Sequence, residues 1–517
     1  MNSCKKDDFS PDLEDTQVWQ PEIAFPLVFT ELSMSDLARV NDSSTTIAVD
    51  NEQFCTLVYQ GEIFRMSAQQ LMIIPDQGFQ NQFSLNNSQI LTLINSGQVQ
   101  FTQARDISLS MNQGAEIDSI VLKQSQLSIE LNTTIPSDAE IRITVPGLTK
   151  NGIPFTELIT FDYSGSIPMI KQVNIPLNDY HLNLTKNGTT TNTLEVIYTI
   201  TMVGNGNGVT TSGTLNCNAS IQSIQYQVLY GYIGQQSIGN LQDSVELSIF
   251  NNAIGTGSFF IADPKIRFDI SNSIGIPFHA RVSQLTALNA NLTDFSVASG
   301  VPDPLPVNSP GVSQIGQTML SNFTLDNSNS NISSLINESP KYLIAESQIS
   351  TNPQGRTFNF ITDSSNIAVG IHVELPLHGT AKEFIIKDTV PFNYFDLENV
   401  EALTLRLNIE NWFPIESNIQ IIFTDENYLP LDTIFSPGEV VIPSGIVPSN
   451  QERVTQAGFK IHDQSFDNDR IQKILGARKI LIQASASTYQ QGGANVKIFN
   501  DYKLKVKIGA IVKMKIL

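Results

Sequence analysis

The residues of this chain whose types could do acid–base, nucleophilic or metal chemistry are few. The histidines are His181, His279, His372, His378 and His462. No two stand at the helical i, i+4 spacing that brings two metal ligands to one face. His372 and His378 share a strand face only if the strand runs on through Pro376, so surface or turn positions are expected for them. Asp463, Asp467 and Asp469 gather around Asn468. The central Gly and closing Glu of a calcium loop are missing, and helix capping is the expected role. Gly204-Asn205-Gly206-Asn207-Gly208 could cradle a phosphate only between a strand and a helix. Val209-Thr210-Thr211 follows it as strand, so a hairpin tip is expected. Neither a nucleophile elbow nor a Walker loop occurs. The carboxylate pair of a glycosidase forms only in space, and the sequence does not place one. Trp19 and Trp412 could each stack a sugar, but Trp412 lies in Asn411-Trp412-Phe413-Pro414, where core packing is the expectation. No catalytic residue, metal site or cofactor is expected.

Composition narrows the class. The charged fraction is 15%, well below the ~25% of soluble proteins, and Asn, Ser, Thr and Gln take up the difference. Such chains are usual among secreted or envelope β-proteins. A net charge of −20 argues against nucleic acid, whose phosphates need Lys and Arg patches. No apolar run of about 18 residues is present, so no transmembrane helix is expected.

The elements that would position any site are strands. Ile266, Phe268 and Ile270 alternate with polar residues, then come Asn272 and Pro277, then Phe278, Ala280 and Val282. The period of two marks half-buried strands on each side of a corner. The same order recurs at Leu127-Ile129-Leu131, Asn132, Pro136, Ile141-Ile143-Val145, and at Leu403-Leu405-Leu407, Asn408, Pro414, Ile415. The three asparagines are 140 and 136 residues apart, which suggests a diverged repeat of one β unit. Each Asn is expected to bond nearby backbone. Residues 54–66 are read as a hairpin turning at Gln60-Gly61-Glu62. Tyr502, Leu504, Val506 and Ile508 alternate with lysines that continue through Lys513 and Lys515, a solvent face that opposes edge pairing. Long helices are absent; the best candidates are 467–475, ended by Gly476, and a turn within 328–336. The expected fold is all-β: multidomain antiparallel β-sandwiches with very little helix. The expected organisation is a tether over 1–18, an N-terminal β region of two sandwich units over 19–298, a Pro/Gly-rich linker over 299–317 and a C-terminal sandwich over 318–517.

Cys55 and Cys217 remain as a candidate disulfide for an oxidising compartment. Cys4 stands apart from them, in Met1-Asn2-Ser3-Cys4-Lys5-Lys6-Asp7-Asp8-Phe9. This stretch resembles the start of a mature bacterial lipoprotein, whose Cys is acylated. Lys6-Asp7-Asp8 resembles the surface-export signal of Bacteroidota lipoproteins. The opening from Trp19, Tyr230-Gly231-Tyr232-Ile233-Gly234-Gln235, Ala262-Asp263-Pro264-Lys265-Ile266 and Glu374-Leu375-Pro376-Leu377-His378-Gly379 resemble an uncharacterised Bacteroidota lipoprotein family. That likeness implies an outer-membrane lipoprotein exposed on the cell surface and brings no activity with it. The Asn–Pro corners resemble LEA-type β-sandwich domains.

The expected function is therefore non-catalytic. The chain would be a structural or interaction component of the envelope, holding a protein or polymer partner and touching the membrane only through its lipid. A surface glycan-binding lipoprotein serving nutrient uptake is the alternative.

Overall fold

The computed structural model describes residues 22–34, 45–204, 206, 208–247, 258–289, 295–392, 400–435 and 439–514. Cys4, Lys6, Asp7, Asp8 and the whole 1–18 tether, with Trp19 and Lys515, lie outside them. The chain is all-β, built of several antiparallel sheets.

One eight-stranded pattern occurs three times. Counted in chain order within each set, one sheet runs sixth–third–eighth–first and the other second–seventh–fourth–fifth. The inner sandwich takes Gln77–Ser84, Gln98–Ser108, Glu116–Thr133, Asp138–Lys150, Ile153–Phe161, Met169–Pro176, Thr193–Val203 and Thr214–Tyr232. The middle sandwich takes Cys55–Ser67, Ser237–Glu246, Lys265–Asn272, Phe278–Asn289, Phe295–Val297, Met319–Leu325, Pro340–Thr351 and Asn366–Pro376. The terminal sandwich takes Glu22–Ser33, Phe384–Pro391, Val400–Asn411, Ile415–Thr424, Pro430–Thr433, Gly458–Phe466, Lys479–Thr488 and Lys503–Met514. In the inner sandwich His181–Asn183 pairs with both the third and fourth strands and joins the two sheets.

The three sets are nested. The whole inner sandwich lies between the first and second strands of the middle one, and the middle lies in the same interval of the terminal one. The first and second strands lie in opposite sheets, as edges in the terminal sandwich, while in the middle one Thr45–Val49 pairs along the first strand. An insertion there interrupts no strand pairing, which is why the site tolerates a whole domain.

The corners between third and fourth strands recur, but in a different register from the sequence reading. Asn272 is fully buried. Its Oδ1 accepts from the Ile274 N–H at 2.9 Å, and its Nδ2 donates to the Asn308 carbonyl at 3.0 Å and to Ser309 Oγ at 3.1 Å. The terminal corner is made by Asn411, not Asn408. Asn411 Oδ1 accepts from the Phe413 N–H at 2.9 Å, and Nδ2 donates to the carbonyls of Ile415 at 2.7 Å and Pro443 at 2.9 Å. The inner corner is made by Thr133, not Asn132: Thr133 Oγ1 accepts from the Ile135 N–H at 3.1 Å. The intervals 133 to 272 and 272 to 411 are both 139 residues. Asn132 and Asn408 lie within their strands, opposite Asn216 and Lys507. They differ from the true corners by an odd number of residues, and strand pleating turns them to the outer face. Pro136, Pro277 and Pro414 do stand in the corners, each after the bonded residue.

The 299–317 segment is no boundary between domains. It is the fifth-to-sixth connection of the middle sandwich, and strands on both sides of it pair with each other. Its Leu305 is buried and donates its N–H to the Ala280 carbonyl at 2.7 Å. Nor are 19–298 and 318–517 separate regions, since Glu22–Ser33 pairs with Lys503–Met514 across the length of the chain. Residues 54–66 form one strand rather than a hairpin. Gly61 lets the second strand approach there, because a Cβ would meet the Val245 side chain at 2.7 Å. The Gly204–Gly208 loop is not a hairpin tip either: the strands it joins do not pair with each other.

The lysine-bearing strand Lys503–Met514 is internal to its sheet, not an edge, pairing with the first and third strands. Its lysines meet cross-strand acids: Lys503 with Glu31 at 2.5 Å, Lys505 with Glu410 at 3.2 Å and Lys513 with Glu401 at 3.3 Å. The helix Asn468–Leu475 forms as expected, with Asp467 accepting from the Arg470 N–H at 3.0 Å. The sequence reading missed the longest helix, Asn87–Ser96. Its signal was present: Asn86 caps Gln89, Gln89 caps back, and Gly97 closes it at φ 70°.

Candidate functional site

Each titratable cluster suggested by the sequence dissolves into local pairs. His372 Nε2 lies 3.0 Å from Asp269, His378 Nδ1 3.7 Å from Asp263, and His462 Nδ1 3.1 Å from Glu439. Asp463 pairs with Arg406, which holds its carboxyl below the usual range. Among the described residues no group of three or more His, Cys, Asp or Glu could hold a metal ion. Trp412 is part of a packed cluster, and its indole N–H donates to Glu410 at 2.8 Å.

Cys55 and Cys217 are free thiols on strands of different sandwiches, so the candidate disulfide does not form. Both are buried, and burial pushes each thiol up to about 11. A thiol reacts as its thiolate, so neither is a nucleophile near neutrality. At pH 8, iodoacetamide should leave both unmodified in the native protein and alkylate both in urea. Rapid alkylation of either in the folded chain would contradict their burial.

One concave, apolar feature lies where the middle sandwich meets the terminal one. A small sheet of Ser258–Ile261, His378–Lys382 and Val496–Lys497 bridges the two. Three backbone bonds tighten the seam: Cys55 N–H to Ile498 O, Leu377 N–H to Cys55 O, and Ile498 N–H to Leu377 O. Against this sheet, at the Asn411 end of the terminal sandwich, lies a cavity of about 380 Å³. Its wall combines Phe259 and Phe260 of the bridge, Phe413 and Ile415 of the corner, and Leu32 and Leu504 of the lysine-bearing sheet. The lining surface is almost entirely carbon.

Three polar residues at this wall are engaged in holding the fold, and His378 and Thr380 line it beside them. Asn411 spends both ends of its amide on the corner. Thr488 Oγ1 accepts from the Ala381 N–H at 3.3 Å and reaches its carbonyl at 3.4 Å. Ser417 Oγ reaches the Asn418 carbonyl at 3.5 Å. The volume falls in the range of ligand sites, roughly 300–1,000 Å³. What this wall can do chemically is exclude water and hold apolar matter.

Packing around the cavity sets it apart from the rest. The inner and middle sandwiches share one continuous buried core from Leu57 to Leu375. Among the described residues the terminal sandwich has three small buried clusters, linked only through half-buried Ile434 and Leu504, and Leu405, Leu407, Ile419, Ile421 and Val506 on its inward faces are only half-buried. Sequence alternation marked these residues as inward. It carried no signal that the two sheets leave a space between them.

Fold and site together define a protein of three nested β-sandwiches with an apolar pocket at one junction. No family model matches the chain, and no curated protein matches it in sequence. Among solved structures it is similar to a presumed secreted protein of Parabacteroides distasonis ATCC 8503, at 12% identity and TM-score 0.26, over 55% of this chain and 89% of that one. It is also similar to the VP2 subviral particle of infectious bursal disease virus, at 10% identity and TM-score 0.15, over 86% and 82%. Likenesses this distant carry no argument about function.

Proposed function

We propose that the chain is a non-catalytic outer-membrane lipoprotein that binds a protein or polymer of the cell envelope. Cys4 carries the lipid and Lys6-Asp7-Asp8 directs it to the cell surface. The observation that supports a binding role is the junction cavity. It is concave and carbon-lined, and Asn411, Ser417 and Thr488 on its wall are committed to the fold, which suits holding apolar matter. The nesting gives the tether a geometric sense. The strand nearest Cys4, Glu22–Ser33, belongs to the terminal sandwich, and the inner sandwich joins it through the middle one. Anchoring at Cys4 then presents the inner sandwich to partners away from the membrane. A surface glycan-binding role is the second reading. It is favoured by Tyr230 and Phe358, which stack at 6.3 Å with Phe358 57% exposed.

Fractionation of cells, with mass spectrometry of the N-terminal peptide, tests this. The expected result is an acylated Cys4 in the outer membrane, digestion by protease added to whole cells, and release into the soluble fraction on Cys4→Ala. A free Cys4 thiol in protein taken from native membranes would overturn the anchored reading.

A further inference from the structure

The junction cavity has a specific cause, visible by comparing two copies of the same sandwich. In both the middle and terminal sandwiches a threonine ends the seventh strand inward and bonds the backbone leading to the second strand. Thr351 Oγ1 accepts from the Gln236 N–H at 2.9 Å, and Thr488 Oγ1 from the Ala381 N–H at 3.3 Å. Thr351 stands opposite Phe278, and Thr488 opposite Ile415. Two residues back, Ile349 stands opposite Ala280, whereas Ala486 stands opposite Ser417. The terminal sandwich has therefore lost a ring and a branched side chain at adjacent inward positions. In the middle sandwich Ile349, Ala280 and Phe278 are buried. In the terminal sandwich Ala486, Ser417 and Ile415 line open space.

The chemistry of that space selects its occupant. An engineered apolar cavity of ~150 Å³ in another protein stays dry and takes an apolar guest, and this one is larger, at about 380 Å³. Asn411, Ser417 and Thr488 already bond protein backbone, and His378 and Thr380 add little polar surface to the wall, so a sugar, nucleotide or peptide placed here would leave most of its own donors and acceptors without partners. A hydrocarbon has none to lose. Among the rings of the wall, Phe413 is fixed edge-on against Tyr502 at 5.9 Å, so the wall is preformed rather than collapsed.

We propose that the cavity binds the unbranched hydrocarbon chain of a lipid, supplied by a free fatty acid or by a phospholipid. The inference rests on the binding role proposed above and names the ligand class of the same site. The polar head would lie at the mouth, near half-exposed Phe260 and His378.

The test is equilibrium titration of the purified full-length chain with cis-parinaric acid, a fluorescent straight-chain fatty acid. The wild type should bind saturably at about one probe per chain, and palmitate should displace it. Ala486→Ile rebuilds the middle sandwich's packing and should weaken binding at least tenfold while raising the unfolding temperature. Ile415→Phe, at a separate wall position, should act in the same direction and serves if the first variant fails to fold. Solvent extraction of protein purified from the cells that make it, read by mass spectrometry, distinguishes the sources. Recovery of a fatty acid assigns the site to free acids, and recovery of a diacyl lipid assigns it to membrane phospholipid. Absence of saturable probe binding by the wild type overturns the proposal, as does equal affinity in both folded, filled variants. Cys4→Ala separates the two readings. If it binds probe normally but stays soluble, the anchor and the pocket are independent. If the wild type is anchored yet binds no probe, only the hydrocarbon inference falls.

Discussion

Deletion of residues 22–33 should unfold the terminal sandwich and leave the other two intact. Those residues form the first strand of that sandwich, and their partner is Lys503–Met514, from Glu22 opposite Lys513 to Ser33 opposite Lys503. Removing the strand strips the internal lysine-bearing strand of one neighbour and uncovers Leu504 beside the cavity, where Leu32 also stands. The lost Lys503–Glu31 pair is half-exposed, screened by solvent, and matters little. What decides the outcome is that this sandwich rests on three small cores instead of one, against a typical domain stability of only about 5–15 kcal/mol. Calorimetry should show the first thermal transition lost or lowered by on the order of 10 °C, and the transition of the remaining sandwiches moved far less. A single transition, shifted as a whole, would mean the three sets fold as one unit.

Asn272→Ala should cost about 1–3 kcal/mol, the cost of one buried group left unpaired. The Ile274 N–H loses its partner at a fully buried residue, whereas the carbonyl of exposed Asn308 regains water. Asn411→Ala should act alike on the terminal sandwich, losing the bonds to Phe413, Ile415 and Pro443. Thr133→Ala gives up one accepted bond and should cost about 1 kcal/mol. Asn132→Ala and Asn408→Ala remove side chains from outer faces and should stay within about 0.5 kcal/mol. Urea unfolding ranks the five. Losses at Asn408 equal to those at Asn411 would contradict the register of the repeat.

These same residues show how much the sequence could say. Period-two alternation found the strands, the all-β class and the existence of a repeat, because side-chain direction in a strand depends only on local spacing. It could not fix which polar residue turns each corner. In the inner copy the bonding side chain is a threonine, and its neighbour Asn132 has the more familiar turn chemistry but the wrong parity. Nesting was hidden for a different reason. A strand's partner is chosen by tertiary contact, and nothing near Glu22–Ser33 points to residues almost the whole chain away. The Pro-rich 299–317 segment looked like a linker because composition cannot distinguish a loop between domains from one packed along a sheet. The cavity was least legible, since it arises from Ala486 and Ser417, small residues that are unremarkable until set beside Ile349 and Ala280. The disulfide failed on the same ground: the count of cysteines said nothing of the two sandwiches that hold them.

Hydrogen exchange read by mass spectrometry, on the full chain and on the chain lacking 22–33, tests the nested architecture most directly. Amides over 400–514 should lose protection in the shortened chain, while those over 77–232 keep the protection they have in the parent. Loss of protection spread evenly over 77–232 and 400–514 would contradict a terminal sandwich that is closed apart from the shared core of the other two.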